Sequence, residues 1–425
     1  MKSRDVIVVG GGAAGMLAAI SAAKSGAGVT LVEKMERLGR KLRVTGKGRC
    51  NITNTKPWQE FSMHIHPKSN FFKHSFYNFS NEDTITFFES IGLKTVLERG
   101  ERIFPSSGLA SDVVNALTAE MERLGVEIIL NTRVTDLTVV GQKVTEVVTI
   151  NTKSNIETKY YASTVVMATG GLSYPLTGSD GDGYVIAKNL GHKIEECFPS
   201  LTALMPKDYS KELEGLQLKN VEIALFIAGD EVQREMGELD FTNNGIEGSI
   251  GYRISRKAVK ALINGNRCAV YLDLKPALTK DVLEERMRRE LSLLHNPSIN
   301  QLLRKLLPYE LISSFVSYLN LPADPLKATK REAIIKAIAA SLKAWKMDIV
   351  TFTSYERAVI TAGGVSLDEV IAKNMRSRLY DNLFFAGEII DLDGDTGGYN
   401  LQIAFSTGYM AGVEAARVSN QAIIT

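Results

Sequence analysis

The N-terminal part of the chain alternates short apolar runs with a glycine turn. Residues 5–9 and 29–32 are apolar runs of strand length, and residues 13–25 between them are rich in Ala, Leu and Ile. Short continuous apolar runs are typical of parallel strands that are buried on both faces. Gly26 indicates the end of the intervening helix, and Glu33 follows the second run. The pattern predicts a βαβ unit.

Hydrophobic spacing further along the chain predicts a mixture of helices and strands. Apolar residues at helical spacing predict helices at residues 82–90 and 110–124, and a final helix that begins near Asn400. Residues 34–80 show no clear period and are predicted to be irregular, with a basic glycine-containing loop and then an aromatic stretch. Strands are predicted at residues 126–130, 134–140, 144–150, 164–167 and 383–386.

The glycine turn between the first strand and the first helix has the GxGxxG spacing of a dinucleotide fingerprint. Gly10 permits the tight turn, Gly12 lets the backbone approach a pyrophosphate, and Gly15 lets helix and strand pack closely. The helix that follows offers free N–H groups and the positive end of its dipole to the phosphates. Glu33 stands about twenty residues further on, where a carboxylate accepts hydrogen bonds from ribose hydroxyls. The fingerprint predicts a dinucleotide cofactor and does not separate FAD from NAD.

The middle of the chain changes its pattern twice. Short alternating segments from 195 to about 275 predict β structure, whereas residues 279–346 are helical in pattern and carry twelve Lys and Arg against seven Asp and Glu. Strands and glycines return near residue 350. We predict an α/β fold in which a discontinuous Rossmann-type domain carries an inserted β-rich plus helical region. The predicted parts are the dinucleotide-binding domain at 1–194 and 347–425, a β-rich substrate or cap domain at 195–278 and a helical subdomain at 279–346.

Two later segments point to FAD through a resemblance. Residues 164–171, TVVMATGG, are similar to the second FAD-contacting segment of flavoproteins of the glutathione reductase type, and residues 384–388, FFAGE, to the segment that closes their FAD domain. More narrowly, the whole chain resembles the family of bacterial FAD-dependent flavoproteins that includes aminoacetone oxidase and the BaiN-type proteins. The motifs that carry this resemblance are GRKL from Gly39, TGKGRCNITN from Thr45, RIFP from Arg102, residues 168–183, GEL, FT and GI within 237–246, TAGGV from Thr361, and residues 385–408.

A more distant likeness is to the succinate dehydrogenase and fumarate reductase flavoproteins. Residues 181–183, GDG, are similar to their TGDG segment, and Gly387-Glu388 and Asn400-Leu401 are similar to their late FAD contacts. Their covalent attachment histidine is expected in the loop that follows Glu33, and this chain has no histidine before His64. The resemblance therefore implies FAD that is bound without a covalent link.

The fingerprint and the resemblance together predict a set of FAD-binding residues. Arg40 and Lys41 are predicted to face the phosphates or the flavin edge, and Thr45 and Asn51 to bond the amide edge of the flavin. By resemblance, the backbone at Val134 holds the adenine. The full set is Gly10, Gly12, Ala13, Ala14, Gly15, Glu33, Lys34, Arg40, Lys41, Thr45, Asn51, Val134, Ala168, Thr169, Gly170, Asp182, Gly387, Glu388, Gly397, Gly398, Asn400, Leu401 and Gln402.

The glycine-rich start of the last helix is the predicted flavin edge. Its N–H groups, aimed at the N1–C2=O edge, would stabilise the negative charge of reduced flavin. Tyr174 and Tyr399 are the substrate-side candidates, and packing explains each of them equally well. The sequence identifies no catalytic acid or base.

Two patterns resemble metal sites, and we interpret both otherwise. The alternating aspartates at 391–395 lack a glutamate at the offset that an EF-hand loop requires. His64, His66 and His74 lie in an aromatic stretch without clustered cysteines, which favours surface histidines. We predict no metal site.

Composition and charge limit the partners and the compartment. The balance of 50 Lys and Arg against 48 Asp and Glu gives a net charge of +2, which favours a small-molecule substrate over nucleic acid. Three scattered cysteines fit a reducing compartment. The first apolar run is too short for a signal peptide, and no run approaches about eighteen apolar residues, so we expect a cytoplasmic protein without a membrane span. The sequence leaves the oligomeric state open.

The leading hypothesis is an FAD-dependent oxidoreductase that transfers hydride between flavin N5 and a small organic substrate. It has two open versions: an amine-type oxidase that passes electrons to oxygen, and a reductase that takes hydride from transiently bound NAD(P)H. Only one GxGxxG is present, so a separate NAD(P)H domain is not indicated. The basic helical insert motivates an alternative, an RNA-modifying or nucleic-acid-binding flavoprotein. A flavin-binding protein without turnover is a third class.

Overall fold

The computed structural model describes residues 4–295, 297–321, 326 and 330–424. The strands are β1 (Arg4–Val9), β2 (Val29–Val32), β3 (Thr53–Asn54), β4 (Ile65–His66), β5 (Thr95–Glu98), β6 (Arg102–Pro105), β7 (Glu127–Ile129), β8 (Thr132–Val140), β9 (Lys143–Asn151), β10 (Glu157–Met167), β11 (Ile194–Ser200), β12 (Leu204–Pro206), β13 (Gln217–Ile227), β14 (Asp230–Thr242), β15 (Gly245–Glu247), β16 (Cys268–Asp273), β17 (Trp345–Phe352), β18 (Ile360–Val365), β19 (Val370–Ile371), β20 (Arg376–Ser377), β21 (Leu383–Phe385) and β22 (Asp393–Gly394). The helices are α1 (Ala13–Lys24), α2 (Arg40–Val44), α3 (Trp58–Phe61), α4 (Ser69–Asn78), α5 (Asn81–Ser90), α6 (Ala110–Arg123), α7 (Asp182–Asn189), α8 (Gly248–Ile263), α9 (Lys280–Ser292), α10 (Ile299–Leu303), α11 (Tyr309–Leu319), α12 (Arg331–Lys343) and α13 (Tyr399–Ile424).

The chain divides into two compact units, Met1–Pro199 with Tyr355–Thr425, and Ser200–Ser354. The sequence prediction placed the first border between residues 194 and 195. It also divided the insert into a β-rich part and a separate helical part. In the structure the second unit begins at Ser200 and holds both regions. The reason is β17, which follows the helices and returns to pair with β16 and β12.

The first unit is organised by a sheet with the order β19-β20-β21-β10-β1-β2-β7. Strands β21, β10, β1, β2 and β7 pair in parallel, and β9 pairs with β10 in the antiparallel direction. Val6, Ile7 and Val8 of β1 are fully buried, as the continuous apolar run predicts. The discontinuous Rossmann-type α/β fold is therefore confirmed.

Helices α1 and α13 lie very close together in this unit. A Cβ atom at Gly408 would stand 2.3 Å from the carbonyl oxygen of Ala14, and one at Gly412 would stand 2.2 Å from that of Ala18. Only glycine leaves room for such a backbone approach. The glycines of the last helix thus fix it against the helix that carries the fingerprint.

One part of the sequence prediction for this unit is wrong. Residues 34–80 were expected to be irregular, but they include α2, α3 and the ten-residue α4. Phe72 and Phe76 of α4 are buried, and both pack their rings against Phe61. The spacing of these two aromatic residues places them on one face of the helix, so tertiary packing stabilises a segment with weak helical propensity.

The second unit contains a closed six-stranded barrel, in the order β12-β15-β14-β13-β16-β17, and helices α8 to α12. Ile223, Leu225 and Val270 of the barrel strands are fully buried. The buried residues of α8, among them Ile250 and Ile254, recur at helical spacing. The inserted β-rich plus helical region is confirmed.

A buried histidine, His192, joins the segment before β11 to residues 369–377, which include β19. The His192 side chain has no exposed surface, and its Nδ1 lies 3.1 Å from Oε2 of Glu369. Its Nε2 lies 3.1 Å from Oγ of Ser377. Burial lowers the pKa of His192, against the raising effect of Glu369. The imidazole is therefore held neutral in the folded chain over a range where the unfolded chain binds a proton.

We expect acid to destabilise the protein through His192. As pH falls below about 6.5, the usual histidine pKa, the unfolded state takes up a proton before the folded state does. The free energy of unfolding therefore falls as the pH drops below about 6.5. It stops falling once the pH is below the lowered pKa of His192 in the folded chain. His192→Gln should have a lower melting temperature near neutral pH, and the gap to the wild type should narrow by a few degrees at acid pH. The exposed His74 gives the control His74→Gln, whose gap should stay constant; a constant gap for His192→Gln would contradict the assignment.

Candidate functional site

The fingerprint glycines line the space between β1, α1 and the end of β10. Gly10 has φ +103°, and a Cβ atom there would stand 2.5 Å from the carbonyl oxygen of Ala168. A Cβ atom at Gly15 would stand 1.8 Å from the carbonyl oxygen of Gly10, whereas one at Gly12 would meet nothing within 4 Å. Two glycines thus permit close backbone packing, and the third leaves open space at the start of α1. The first N–H groups of a helix have no intrahelical acceptor, and Gly12 has no side chain that could cap them. Ala13 and Ala14 begin this helix.

Glu33 contacts the same glycine turn from the end of β2. Its Oε2 accepts from the Gly11 N–H at 2.6 Å, and its Oε1 accepts from the Met35 N–H at 2.8 Å. Burial raises the pKa of Glu33, although both backbone hydrogen bonds lower it. An ionised carboxylate has about four lone-pair positions, so each oxygen retains capacity for a ribose hydroxyl.

Lys34 and Asp182, both predicted FAD contacts, bind each other in the structure. Lys34 Nζ lies 2.8 Å from Oδ2 of Asp182 and also pairs with Asp180. Arg133 donates to the same two aspartates, with Nε 2.7 Å from Oδ2 of Asp182. Val134 follows Arg133 on β8 and is buried. The ion network therefore joins the end of β2, the start of β8 and the start of α7.

The segment after β10, which begins at Ala168, packs against the fingerprint turn. Ala168 N donates to the carbonyl oxygen of Val9, which holds this segment against β1. Gly170 has φ +76°, and a Cβ atom there would stand 2.8 Å from Oγ of Ser179. Thr169 Oγ1 is buried and has no hydrogen-bond partner among the described residues.

Lys41 joins the basic loop to the late FAD segment. Its Nζ lies 2.6 Å from Oε2 of Glu388, and Oε1 of Glu388 accepts from the Thr361 N–H at 2.9 Å. Arg40 instead pairs with Glu36 on the surface, at 3.1 Å. The structure thus ties Lys41 to a predicted cofactor residue and turns Arg40 toward a carboxylate of its own loop.

Thr45 and Asn51 flank the buried Cys50. Thr45 Oγ1 donates to the carbonyl oxygen of Leu42 at 2.7 Å. Asn51 Oδ1 is buried and, within residues 4–295, 297–321, 326 and 330–424, has no hydrogen-bond partner. Burial raises the pKa of the Cys50 thiol to about 12, with a small opposing hydrogen bond from Thr45. The thiol is therefore protonated, which fits a packed side chain rather than a nucleophile.

The start of α13 is built from a glycine turn that rests on β3. Gly397 has φ +128° and Gly398 has φ +96°, both in the region that favours glycine. Asn54 Nδ2 donates to the carbonyl oxygen of Gly397 at 3.0 Å, and a Cβ atom at Gly398 would stand 2.6 Å from the Thr53 carbonyl carbon. The turn therefore contacts Thr53 of β3, which follows Asn51 by two residues along the chain.

The polar side chains of this turn make local contacts. Asn400 accepts from the Gly394 N–H at 2.7 Å and donates to the Gly394 carbonyl oxygen at 2.6 Å. Gln402 is fully buried and donates to the Phe79 carbonyl oxygen at 3.1 Å. Leu401 is partly buried between them. Their backbone positions remain the predicted cofactor contacts, while Asn400 and Gln402 use their side chains to hold the surrounding chain. Gly387 has a related role, since its N–H donates to Thr407 Oγ1 at 2.9 Å.

The two substrate-side tyrosines differ in their surroundings. Tyr399 is 4% exposed and packs between the rings of Phe61 and His64. Tyr174 is partly exposed, has φ +56° and donates its N–H to the carbonyl oxygen of Tyr355. Tyr399 is thus a core residue next to the site, and Tyr174 remains a candidate for a substrate contact.

Sequence reasoning missed a cluster beside Tyr399. It interpreted His64 and His66 as surface histidines, but both contact Asp395, at 2.8 and 3.3 Å. The three residues come from segments more than 300 positions apart, so no local spacing could reveal them. Among the described residues, no group of three or more His, Cys, Asp and Glu side chains is arranged to hold a metal ion.

The residues present fit a dinucleotide with a flavin. The open start of α1 has room for a pyrophosphate, and Glu33 lies at the end of β2, beside the glycine turn, where the fingerprint predicts a ribose. Thr169 Oγ1 and Asn51 Oδ1 are buried polar atoms that lack a partner in the described part of the chain. Burying such atoms unpaired is costly, so a ligand with hydrogen-bonding groups within reach of them would offset that cost.

The fold and this site define a class: the FAD-dependent oxidoreductases built on a discontinuous Rossmann-type domain. The chain belongs to the HI0933-like family, whose Rossmann-domain description matches residues 4–414. The predicted family resemblance is thereby confirmed.

The chain is similar to relatives that match it along nearly its whole length. It is 31% identical to the 3-dehydro-bile acid delta(4,6)-reductase of Clostridium scindens, over 96% of this chain and 98% of that protein. It is 27% identical to the ribosomal RNA dihydrouridine synthase of Haemophilus influenzae, over 97% and 98% of the two chains. The solved structure of quinol fumarate reductase from E. coli shares the fold, with a TM-score of 0.53 and 17% identity over 99% of this chain and 71% of that one. No helix among the described residues is long and apolar enough to cross a membrane.

Proposed function

We propose that this protein reduces a carbon–carbon double bond conjugated to a carbonyl group in a small organic molecule, with bound FAD and with NAD(P)H as electron donor. The observation that carries the cofactor part is the open start of α1 at Gly12, with the Glu33 carboxylate on the same glycine turn. The reaction type is supported by the relatives. A delta(4,6)-reductase and a dihydrouridine synthase are both named for adding hydrogen across a ring double bond.

The chain's own residues would divide the cofactor among them. The start of α1 and the open face of Gly12 would bind the pyrophosphate, and Glu33 would accept from the ribose. The backbone at Val134 would lie at the adenine, and the turn at Gly397 and Gly398 would place the first N–H groups of α13 at the pyrimidine edge. When bound, FAD supplies hydride transfer at N5.

Hydride chemistry also requires a proton and a dry, oriented substrate. The structure offers a fixed helix start for orientation, because Asn54 bonds Gly397 and Asn400 bonds Gly394. The tie between Lys41 and Glu388 fixes the basic loop against residues 387–389. These contacts support a pre-formed site rather than one assembled on binding.

The purified protein tests this proposal through its visible spectrum. We expect flavin absorption bands. Acid should release the flavin from the protein, because no covalent link is predicted. Without oxygen, NADPH or NADH should bleach the bands, and a 3-oxo-4,6-diene steroid acid should restore them. Absence of any flavin, even after reconstitution with FAD, would remove the central claim.

The same experiment separates the oxidase version. Aminoacetone, added without a nicotinamide, should leave the bands unchanged. If the amine alone bleaches them, and air restores them with formation of peroxide, the protein is an amine-type oxidase and the reductase proposal is wrong.

Ribosomal RNA is a second candidate substrate, favoured by one relative and one surface feature. The Haemophilus influenzae relative is named for a reaction on ribosomal RNA. On the helical part of the second unit, Arg304 lies 5.3 Å from the ring centre of Tyr309, which is 71% exposed. An exposed aromatic ring beside an arginine is suited to base stacking. Reoxidation of the reduced flavin by a uridine-containing ribosomal RNA transcript, and not by the steroid acid, would favour this candidate.

A further inference from the structure

A small two-stranded sheet brings a histidine pair onto one carboxylate. Strands β4 and β22 pair in the antiparallel direction, and the Asp395 N–H donates to the carbonyl oxygen of His64 at 2.9 Å. Both histidines on or beside β4 and the aspartate after β22 therefore share one edge.

The carboxylate of Asp395 lies between the two imidazoles. His64 Nδ1 is 2.8 Å from Oδ2, and His66 Nε2 is 3.3 Å from Oδ1. The Asp395 side chain is 13% exposed, whereas the two histidines are about one-third exposed, at 30% and 31%. Burial opposes the charge on Asp395, but the hydrogen bonds from His64 and His66 outweigh it and hold its pKa below the usual range.

This geometry fixes which nitrogen of His64 is available for proton transfer. An ionised carboxylate accepts a hydrogen bond from Nδ1–H, so the proton that His64 exchanges is the one on Nε2. A carboxylate that orients an imidazole in this way is the arrangement used by acid–base histidines in several unrelated enzymes. The partial exposure of the His64 ring allows it to regain a proton from water.

The cluster adjoins the predicted flavin edge. The His64 ring stacks on Tyr399 with 4.5 Å between ring centres and 29° between planes. Tyr399 is the first residue of α13 and directly follows the turn at Gly397 and Gly398. The same turn receives the hydrogen bond from Asn54. His64 is therefore one ring away from the backbone predicted to face the flavin.

We propose that His64 is the proton donor of the reduction and that Asp395 is its positioning residue; this rests on the proposed function. One carbon of the conjugated double bond takes hydride, with NAD(P)H as the ultimate reductant, and the other carbon takes the proton from Nε2 of His64. The π electron pair forms the second new C–H bond, and the neutral imidazole is reprotonated by water. Charged or titratable groups on the elements next to His64 include Glu60 of α3, His66 of β4, Asp393 of β22 and Tyr399 of α13. Helix α4, which packs against the turn at residues 62–64, adds Lys73, His74 and Tyr77.

Single-turnover kinetics on the FAD-loaded protein test the donor role. The reduced protein is mixed with the 3-oxo-4,6-diene steroid acid, and flavin reoxidation is followed from about pH 5.5 to 8.5, the range in which histidines change charge. The wild-type rate should fall at alkaline pH. His64→Asn and Asp395→Asn should each lower the rate at least about 100-fold and remove that limb. In the second variant the amide would donate to Nδ1 and impose the wrong tautomer.

Two controls separate this role from a structural one. All variants should keep the wild-type FAD content, since cofactor binding does not need the His64 proton. His74→Gln, on the exposed face of α4, should match the wild type at every pH. A His64→Asn rate within threefold of wild type, with an unchanged pH profile, would overturn the proposal.

A second measurement decides the position of His64 without any substrate. Anaerobic titration of the bound FAD with redox dyes gives its midpoint potential against pH. A histidine next to the reacting edge should take up a proton when the flavin is reduced, and the plot should bend in the wild type but not in His64→Asn. If NADPH does not reduce the wild-type flavin, or if the steroid acid does not reoxidise it, the proposed function fails. The position of His64 is then tested by the bend alone. A bend in both proteins, or in neither, overturns the place assigned to His64.

Discussion

Replacing Gly15 with alanine is expected to remove FAD and most of the folded protein. The added Cβ atom would stand 1.8 Å from the carbonyl oxygen and 3.0 Å from the carbonyl carbon of Gly10. These are backbone atoms of a turn that is itself packed on Ala168, so no flexible side chain can yield. Helix α1 would have to move away from β1, which destabilises the unit on the order of 4 kcal/mol. Soluble yield, flavin per protein and melting temperature measure the effect.

A second helical glycine provides the matched control. In α8, a Cβ atom at Gly251 would stand 3.4 Å or more from its nearest neighbours, which is ordinary contact. Alanine is favoured over glycine inside a helix by about 1 kcal/mol, so Gly251→Ala should fold normally and melt no lower than the wild type. If Gly15→Ala keeps the wild-type flavin content and melting temperature, α1 can shift away from β1 at little cost. The close contact with the Gly10 carbonyl group would then not constrain residue 15.

The βαβ unit could be predicted because its signals are local. A buried parallel strand is a continuous apolar run, and β2 coincides with the predicted Val29–Val32. Helix α1 begins at the predicted Ala13 and ends one residue before the predicted end. The glycine spacing fixes the turn between them, so strand, turn and helix each carry their own evidence in the sequence.

The segment 34–80 could not be predicted, because its helices depend on distant residues. Helix α4, with the sequence SNFFKHSFYN, contains no strong run of helix formers. Phe72 and Phe76 are buried against Phe61 of α3 and against each other, and Ser75 donates to the sulfur of Met375. Such contacts exist only after the late part of the chain has folded onto the first.

The division of the insert shows the same limit for strands. The alternating pattern after 195 predicts β structure, but it does not say which strands are neighbours. Closure of the barrel depends on β17, which pairs with β16 from Cys268↔Ile349 to Leu272↔Trp345 and follows the helices α9 to α12 along the chain. The border predicted at 346 lies inside this strand, because no local pattern links residues 345–352 to the strands before the helices.

At the site, the sequence indicated which segments meet but not what each side chain contacts. The fingerprint, the end of β2 and the end of β10 do converge, since parallel strands place their carboxyl ends at one edge, and Gly387 of the late segment contacts Ala14 of α1. Lys34 and Asp182 were predicted as separate cofactor contacts, and the structure joins them with Arg133 and Asp180. Long-range ion pairs and the contact of His64 with Asp395 leave no periodic trace in a sequence.

Gly12→Ser is expected to weaken FAD binding while leaving the fold intact. Gly12 is the N-cap of α1, with φ −82° and ψ −171°, a conformation that serine adopts readily. Its Cβ atom would meet no protein atom within 4 Å, and a serine hydroxyl would cap the first N–H groups. The FAD-free protein should therefore melt at or slightly above the wild-type temperature. The same hydroxyl would occupy the space and the donors that a pyrophosphate needs, and the Kd for FAD should rise about 100-fold, or about 2.7 kcal/mol.

The two readouts of Gly12→Ser have opposite signs, and that is what makes the test specific. Any substitution that damages the unit lowers both the melting temperature and the FAD affinity, as Gly15→Ala should. A ligand site at the start of α1 requires instead that affinity falls while the stability of the FAD-free protein is kept, because only the bound state needs the open space beside Gly12. Titration of FAD-free protein by flavin fluorescence quenching gives the affinity, and thermal melts without FAD give the stability. If Gly12→Ser binds FAD as tightly as the wild type, the pyrophosphate does not approach Gly12 and the cofactor lies elsewhere on the unit.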